Sequence, residues 1–96
     1  MDVTKQLRDR RQDILDLAAK YGARNVRIFG SVARGEAGAA SDVDLLVDFD
    51  ENRSLFDVVG LTQDLEELLG RKVDVVTEES VYWLIRRRVL NEAKVL

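Results

Sequence analysis

Apolar residues recur with a helical period in three parts of the chain. This period predicts a first helix over residues 4–21, which Gly22 would end, and a second that begins after Ser54 and ends at Leu69. Ser54 followed three residues later by Asp57 is a capping signature. Thr77 or Ser80 is expected to begin a last helix. Its apolar positions are Tyr82, Ile85, Val89, Ala93 and Leu96.

Apolar residues that alternate with polar ones predict strands over residues 25–29, 42–49 and 72–77. The middle strand alternates most clearly, with Val43, Leu45, Val47 and Phe49 on one face and Asp42, Asp44, Leu46 and Asp48 on the other. The second and third strands flank a helix, so we expect them to be parallel neighbours joined by a right-handed crossover. The elements alternate in the way that is typical of an α/β protein.

A spacing motif links the first two strands. Gly30-Ser31 is followed by ten residues and then by Asp42-Val43-Asp44. Acids two residues apart on a strand share a face, with Cα atoms ~6.6 Å apart. This is close enough for both to reach metal ions separated by about 3.5–4 Å, as in two-metal phosphoryl transfer. The competing interpretation is a solvated acidic strand end.

Asp74 lies inside the apolar third strand and is the third candidate acid. Parallel pairing of the second and third strands would bring it beside Asp44. Its predicted role is a metal ligand or a general base, because a lone buried carboxylate is costly. The alternative is an acid on the exposed face of a half-buried strand. Asp48 competes for this role, but it lies ~13 Å along the strand from Asp44.

The Gly-Ser turn and its neighbours are the candidate nucleotide-binding residues. The missing side chain of Gly30 would let phosphate approach the backbone, while the amide and hydroxyl of Ser31 donate to phosphate oxygens. Glycine is also common in any strand-ending turn. Arg34 could contact phosphate or pair with Asp42 or Glu36. Ser41, directly before the first acid, completes the candidate set.

Composition removes several kinds of chemistry. The chain has neither cysteine nor histidine, so any metal must be held by oxygen, which favours magnesium, calcium or manganese. The net charge of -3 disfavours direct binding to nucleic acid. The longest apolar run, residues 81–85, is far shorter than the ~20 residues of a membrane span. We therefore expect one domain over residues 1–96, in the cytoplasm and without a membrane partner.

Three segments together resemble the minimal nucleotidyltransferase family, a small branch of the DNA polymerase beta-like nucleotidyltransferases. They are residues 30–36, 41–47 and 73–76. The resemblance covers nearly the whole chain and implies a nucleotidyltransferase fold, a mixed three-stranded sheet with helices packed on it in the order α-β-β-α-β-α. It also implies that Asp42, Asp44 and Asp74 bind magnesium, as two ions, and that Gly30 and Ser31 hold the triphosphate.

The same resemblance implies an antitoxin activity. Relatives of this size commonly transfer AMP from ATP to a tyrosine of a HEPN-domain ribonuclease toxin, in a hetero-oligomer with that toxin. The last helix resembles the family's tail at Arg86, Arg88 and Glu92, although Tyr82-Trp83 stand where a proline would be expected. Trp83, Tyr82 and Phe56 could contact a partner, or could be core residues.

Three other functions remain open on the sequence. The chain could neutralise a toxin by binding alone, although three convergent acids would then have no purpose. It could transfer a nucleotide to a small-molecule hydroxyl. It could also be an α/β domain whose acidic edge has no catalytic role.

Overall fold

Five helices and four strands make up the part of the chain that the computed structural model describes, residues 2–38 and 41–96. The helices are α1 (Val3–Asp9), α2 (Arg11–Lys20), α3 (Gly30–Ala33), α4 (Leu55–Leu69) and α5 (Trp83–Glu92). The strands are β1 (Ala23–Phe29), β2 (Val43–Phe49), β3 (Val73–Val76) and β4 (Lys94–Val95).

The strands form one mixed sheet in the order β3-β2-β1-β4. β1 is antiparallel to β2 and to β4, whereas β2 and β3 are parallel. The expected fold class and the expected parallel pairing of β2 with β3 are confirmed. The predicted number of three strands is wrong, because α5 ends at Glu92 and Ala93 takes an extended backbone with ψ of 133°. Lys94 and Val95 can then pair with β1, whose edge would otherwise lack partners.

The helices differ from the sequence prediction at three places. The first predicted helix is two helices that meet at Arg10, where the polar Arg10-Arg11 pair interrupts the apolar stripe. The short helix α3 was not predicted, because four residues are too few to show a period. The predicted cap of the last helix is also wrong. Thr77 and Ser80 bond to each other in a turn, and α5 begins after Tyr82 without a side-chain cap.

Helix α4 has the ends that its sequence predicts. Ser54 accepts a hydrogen bond from the backbone of Phe56, and the carboxylate of Asp57 accepts one from the backbone of Ser54. Gly70 ends the helix in the left-handed region at a φ of 66°. These local signals fix where the helix between β2 and β3 begins and ends.

The core lies on both faces of the sheet. The larger cluster joins α1, α2 and α4 to the face of β2 that carries Val43, Leu45 and Val47, and the alternation predicted for this strand is confirmed. On the opposite face Leu46 packs with Val81 and with Val89, the one buried residue of α5. No helix in the described ranges is long and apolar enough to cross a bilayer.

Candidate active site

Two of the three candidate acids are neighbours across the sheet. In the strand register, Asp44 of β2 lies opposite Phe29 of β1 on one side and Asp74 of β3 on the other. The Gly30 turn follows Phe29 directly, so three distant segments meet at one edge of the sheet. The expected place of Asp74 beside Asp44 is confirmed by this register, and the antiparallel pairing of β1 with β2 brings the Gly30 turn to the same place.

Gly30 lies against the side chain of Asp44. Its backbone has a φ of 74°, in the left-handed region that residues with a side chain rarely adopt. A Cβ atom at this position would overlap a carboxylate oxygen of Asp44 and lie 3.2 Å from its Cγ atom. The backbone conformation and the close packing of Asp44 therefore both require glycine here. A side chain would also hinder a phosphate that approached the backbone.

The three acids act on one another electrostatically. Burial raises the pKa of the half-buried Asp44, and the carboxylates of Asp74 and Asp42 and a hydrogen bond with Asp74 raise it further. The nearby Arg34 opposes this rise. Asp42 and Asp74 are exposed, and Asp42 lies one residue before β2. A cation between such carboxylates would offset their repulsion.

The donor set suits magnesium without forming a complete cage. Within residues 2–38 and 41–96, no three acidic side chains are arranged to hold a metal ion by themselves. Magnesium is usually bound through one or two carboxylates together with substrate phosphates and water. The pairing of Asp44 with Asp74 across β2 and β3, the charge of Asp42 and the open edge of the sheet fit that kind of site. The two paired acids are therefore the core of the candidate site.

Asp74 and Asp48 differ from each other in their surroundings. Asp74 is exposed, so the cost of burying a lone carboxylate does not explain its presence, and its pairing with Asp44 in the strand register is the stronger argument. Asp48 accepts hydrogen bonds from Arg27 and Asn25 at 3.2 and 3.0 Å. It is part of a surface network away from the Gly30 turn, which supports the choice of Asp74.

The other candidate residues stabilise the loop that follows the turn. Arg34 donates to the carboxylate of Glu36 at 3.0 Å, so the ion-pair alternative is observed for this residue. Ser41 accepts a hydrogen bond from the backbone of Gly38 at 2.8 Å, and its carbonyl accepts one from Arg71 at 3.2 Å. Phosphate contact by Ser31, Arg34 and Ser41 stays a prediction.

Glu92 is a residue to which the sequence assigned no role. It reaches the site from the end of α5 and accepts two hydrogen bonds from one nitrogen of Arg34, at 3.0 and 3.2 Å. The two residues are 58 positions apart. Glu92 also lines, with Gly30 and Arg34, an open groove of about 210 Å³ between α5 and the turn. No local sequence pattern reports a contact of this range.

The candidate contact aromatics are on the surface. Phe56, Tyr82 and Trp83 are 88%, 59% and 68% exposed, so the alternative that they are core residues is wrong. Of the arginines on α5, Arg88 is exposed and pairs with Glu92, whereas Arg86 is partly buried and donates to the carbonyl of Val81. Because Tyr82 and Trp83 are exposed, the start of α5 presents an uncovered apolar surface.

Comparisons with known proteins agree with this geometry. The family model described as "Nucleotidyltransferase domain" matches residues 7–96. The "Protein adenylyltransferase MntA" of Thermococcus cleftensis is 46% identical over 77 residues, which are 80% of this chain and 78% of that protein.

Two solved structures are similar to this chain. A structure named "putative minimal nucleotidyltransferase" has a TM-score of 0.87 and 51% identity, and the match covers all of this chain and 97% of the other. A "toxin-antitoxin with AMP-PNP" has a TM-score of 0.74 and 23% identity over 88% of this chain and 69% of the other. The second likeness shows a shared fold.

Proposed function

We propose that this chain is an antitoxin which modifies its toxin. The premise is that the chain belongs to the nucleotidyltransferase domain family and is an enzyme of that type. It transfers AMP from ATP to a tyrosine hydroxyl of a HEPN ribonuclease toxin. The observation that carries the proposal is the meeting of Asp44, Asp74 and the Gly30 turn at one edge of the sheet.

The acids have the role of holding magnesium. Asp44 and Asp74, together with Asp42, would bind two ions, and the remaining ligands would be phosphate oxygens and water. Magnesium supplies positive charge that offsets the charge on the attacking and leaving oxygens. Burial first, and then the charges of Asp74 and Asp42, raise the pKa of Asp44, and a divalent cation would relieve both the burial of the charge and the repulsion.

The turn after β1 has the role of receiving the triphosphate. The backbone at Gly30 has no side chain to hinder a phosphate, and Ser31 offers an amide and a hydroxyl as donors. Arg34 lies beside them and is already oriented by two glutamates. Because the turn and Asp44 are in contact, phosphates held by the one are placed next to the other.

The transfer is an in-line displacement at phosphorus. The oxygen of the acceptor hydroxyl forms a bond to the α-phosphorus of ATP, the bond to the bridging oxygen breaks, and pyrophosphate leaves. The hydroxyl proton passes to a carboxylate or to water, and Asp74, which is exposed at the edge, is the candidate acceptor. Most of the acceleration in such reactions comes from positioning and charge, which this edge provides.

The choice of a toxin as acceptor rests on three supports. The residues resemble a family whose small members act in this way. The relative from Thermococcus cleftensis is named a protein adenylyltransferase, and one protein of the same fold is named a toxin-antitoxin. Tyr82, directly before α5, and Trp83, its first residue, are exposed and give the chain an apolar surface for a protein partner. We place this reaction in the cytoplasm, with ATP as donor.

The test uses the purified protein, magnesium and the product of the adjacent gene, with ATP labelled at the α or the γ position. We expect label on the partner from α-labelled ATP alone, and loss of this label in Asp44→Asn and Asp42→Ala. Asp48→Asn is the matched control, since it changes an acid of the same strand that is paired with Arg27 outside the site. It should keep the wild-type rate.

Three results would contradict all or part of the proposal. A stable complex without label from either position would favour neutralisation by binding alone. Wild-type labelling by Asp44→Asn would remove this acid from the mechanism. Label found on an added small-molecule hydroxyl, with none on the partner, would keep the chemistry and replace the acceptor.

A further inference from the structure

Glu92 joins the end of α5 to the turn at the active site. Its carboxylate accepts both hydrogen bonds from Arg34 and a third, at 3.4 Å, from Arg88. The hydrogen bonds and the charge of Arg34 lower the pKa of this carboxylate. Glu92 and Gly30 line the same groove, and the backbone amide of Arg34 donates to the carbonyl of Gly30 at 3.1 Å, so Glu92 is linked through Arg34 to the first residue of the turn.

The contact is more enclosed than an ordinary surface ion pair. The side chain of Glu92 is 18% exposed, whereas that of Glu36, the other partner of Arg34, is 65% exposed. Glu92 is held in place because Val89, one turn earlier in α5, is buried against the sheet near Phe29. Two glutamates therefore pair with different nitrogens of Arg34, and Glu92 is the more enclosed of the two.

Gly30 lies where a change in the turn would affect a candidate acid. The left-handed backbone of Gly30 brings it against Asp44, and any rotation of the turn would change that approach. Arg34 closes the turn, because its backbone amide donates to the carbonyl of Gly30, and its guanidinium makes charge-assisted hydrogen bonds of the stronger kind to Glu92. By fixing Arg34, Glu92 therefore restrains the turn.

We propose that Glu92 is a positioning residue for nucleotide transfer. It holds the Gly30–Ser31 turn and the guanidinium of Arg34 in the arrangement that receives the phosphate end of the nucleotide. The inference rests on the proposed function, because it assumes that the turn binds phosphate. Glu92 itself does not contact the reacting atoms, and its effect should appear in phosphate binding rather than in recognition of the base.

The experiment measures binding without any acceptor protein. Isothermal titration with magnesium–ATP and with magnesium–tripolyphosphate is carried out on the wild type, Glu92→Ala, Glu92→Gln and Glu36→Gln. Thermal unfolding of each variant is recorded in parallel. We expect Glu92→Ala to weaken both ligands about tenfold, which corresponds to about 1.4 kcal/mol of binding free energy by the general conversion. Equal losses for the two ligands would locate the defect at the phosphates.

The other two variants separate positioning from general stability. The amide oxygen that Glu92→Gln introduces can still accept from Arg34, so this variant should recover part of the lost affinity. Glu36→Gln removes the more exposed partner of Arg34 and should weaken binding less than Glu92→Ala does.

Wild-type affinity in both Glu92 variants, even with a lower melting temperature, would overturn the inference and leave Glu92 a purely structural residue. Tighter binding would also overturn it, because Glu92 would then repel phosphate. A wild-type chain that binds neither ligand would overturn the proposed function itself, and this role with it.

Discussion

Replacement of Gly30 by alanine tests whether the turn must lie against Asp44. The substitution adds a single methyl group at a position where φ is 74° and where this group would overlap the Asp44 carboxylate. Rotation of the carboxylate away from the methyl group is not sufficient, since the Cγ atom of Asp44 would still be 3.2 Å away. The turn or β2 must also shift by a few tenths of an ångström.

The expected loss has two parts. A residue with a side chain in the left-handed region costs roughly 1–2 kcal/mol relative to glycine. Moving Asp44 from its preferred rotamer adds about 0.5–1.5 kcal/mol. We therefore expect Gly30→Ala to lower the free energy of unfolding by about 1.5–3.5 kcal/mol. Binding of magnesium–ATP should fall at least about tenfold, because the displaced carboxylate is a proposed metal ligand.

Gly35→Ala is the matched control for this prediction. Gly35 has a φ of 73°, and a Cβ atom there would meet no atom within 4 Å. Gly35→Ala should lower the free energy of unfolding only by the backbone part, about 1–2 kcal/mol, and it should leave nucleotide binding unchanged. The assay is urea unfolding of both variants, followed by isothermal titration with magnesium–ATP under conditions in which each variant is folded.

A double variant decides whether the extra loss comes from Asp44. In an Asp44→Ala background, Gly30→Ala should cost no more than Gly35→Ala, because the overlapping carboxylate is gone. Equal losses of stability and equal binding for Gly30→Ala and Gly35→Ala in the wild-type background would refute the reasoning. The close approach of the turn to the acid would then have no energetic consequence.

Two further predictions concern the scaffold. Ser54→Ala should lower the free energy of unfolding by about 1 kcal/mol, because it removes the cap of α4, and Ser54→Asp should retain the wild-type value in urea unfolding. Tyr21 donates to Asp64 at 2.6 Å; this hydrogen bond first, then burial and charge, raises the pKa of the phenol above 10.0. The contribution of this hydrogen bond to the free energy of unfolding should be complete below pH 10.0 and lost as the pH rises through the raised pKa. A difference in stability between wild type and Tyr21→Phe that does not change with pH would contradict this prediction.

Local signals in the sequence predicted the elements whose ends are set by nearby residues. The capping box at Ser54 and the glycine at position 70 gave the bounds of α4, and strict alternation gave the two faces of β2. The last helix was predicted less well. Its start lacks a side-chain cap, and its end is decided by pairing of Lys94 and Val95 with β1, which no local pattern reports.

The sequence by itself was enough to identify the residues of the candidate site. The Gly-Ser turn, the two acids ten residues later and Asp74 could be assigned because strand periodicity and short connections restrict which residues share an edge. The absence of cysteine and histidine limited any metal site to oxygen ligands. These inferences depend on composition and on spacing within one or two elements.

Only the tertiary structure decided how the turn is held. The approach of Gly30 to Asp44 and the contact of Glu92 with Arg34 join residues that are far apart in the chain. The first contact depends on the register of β1 with β2, and the second depends on how α5 packs on the sheet through Val89. Packing of this kind results from the summed burial of many side chains, and therefore no short sequence pattern encodes it.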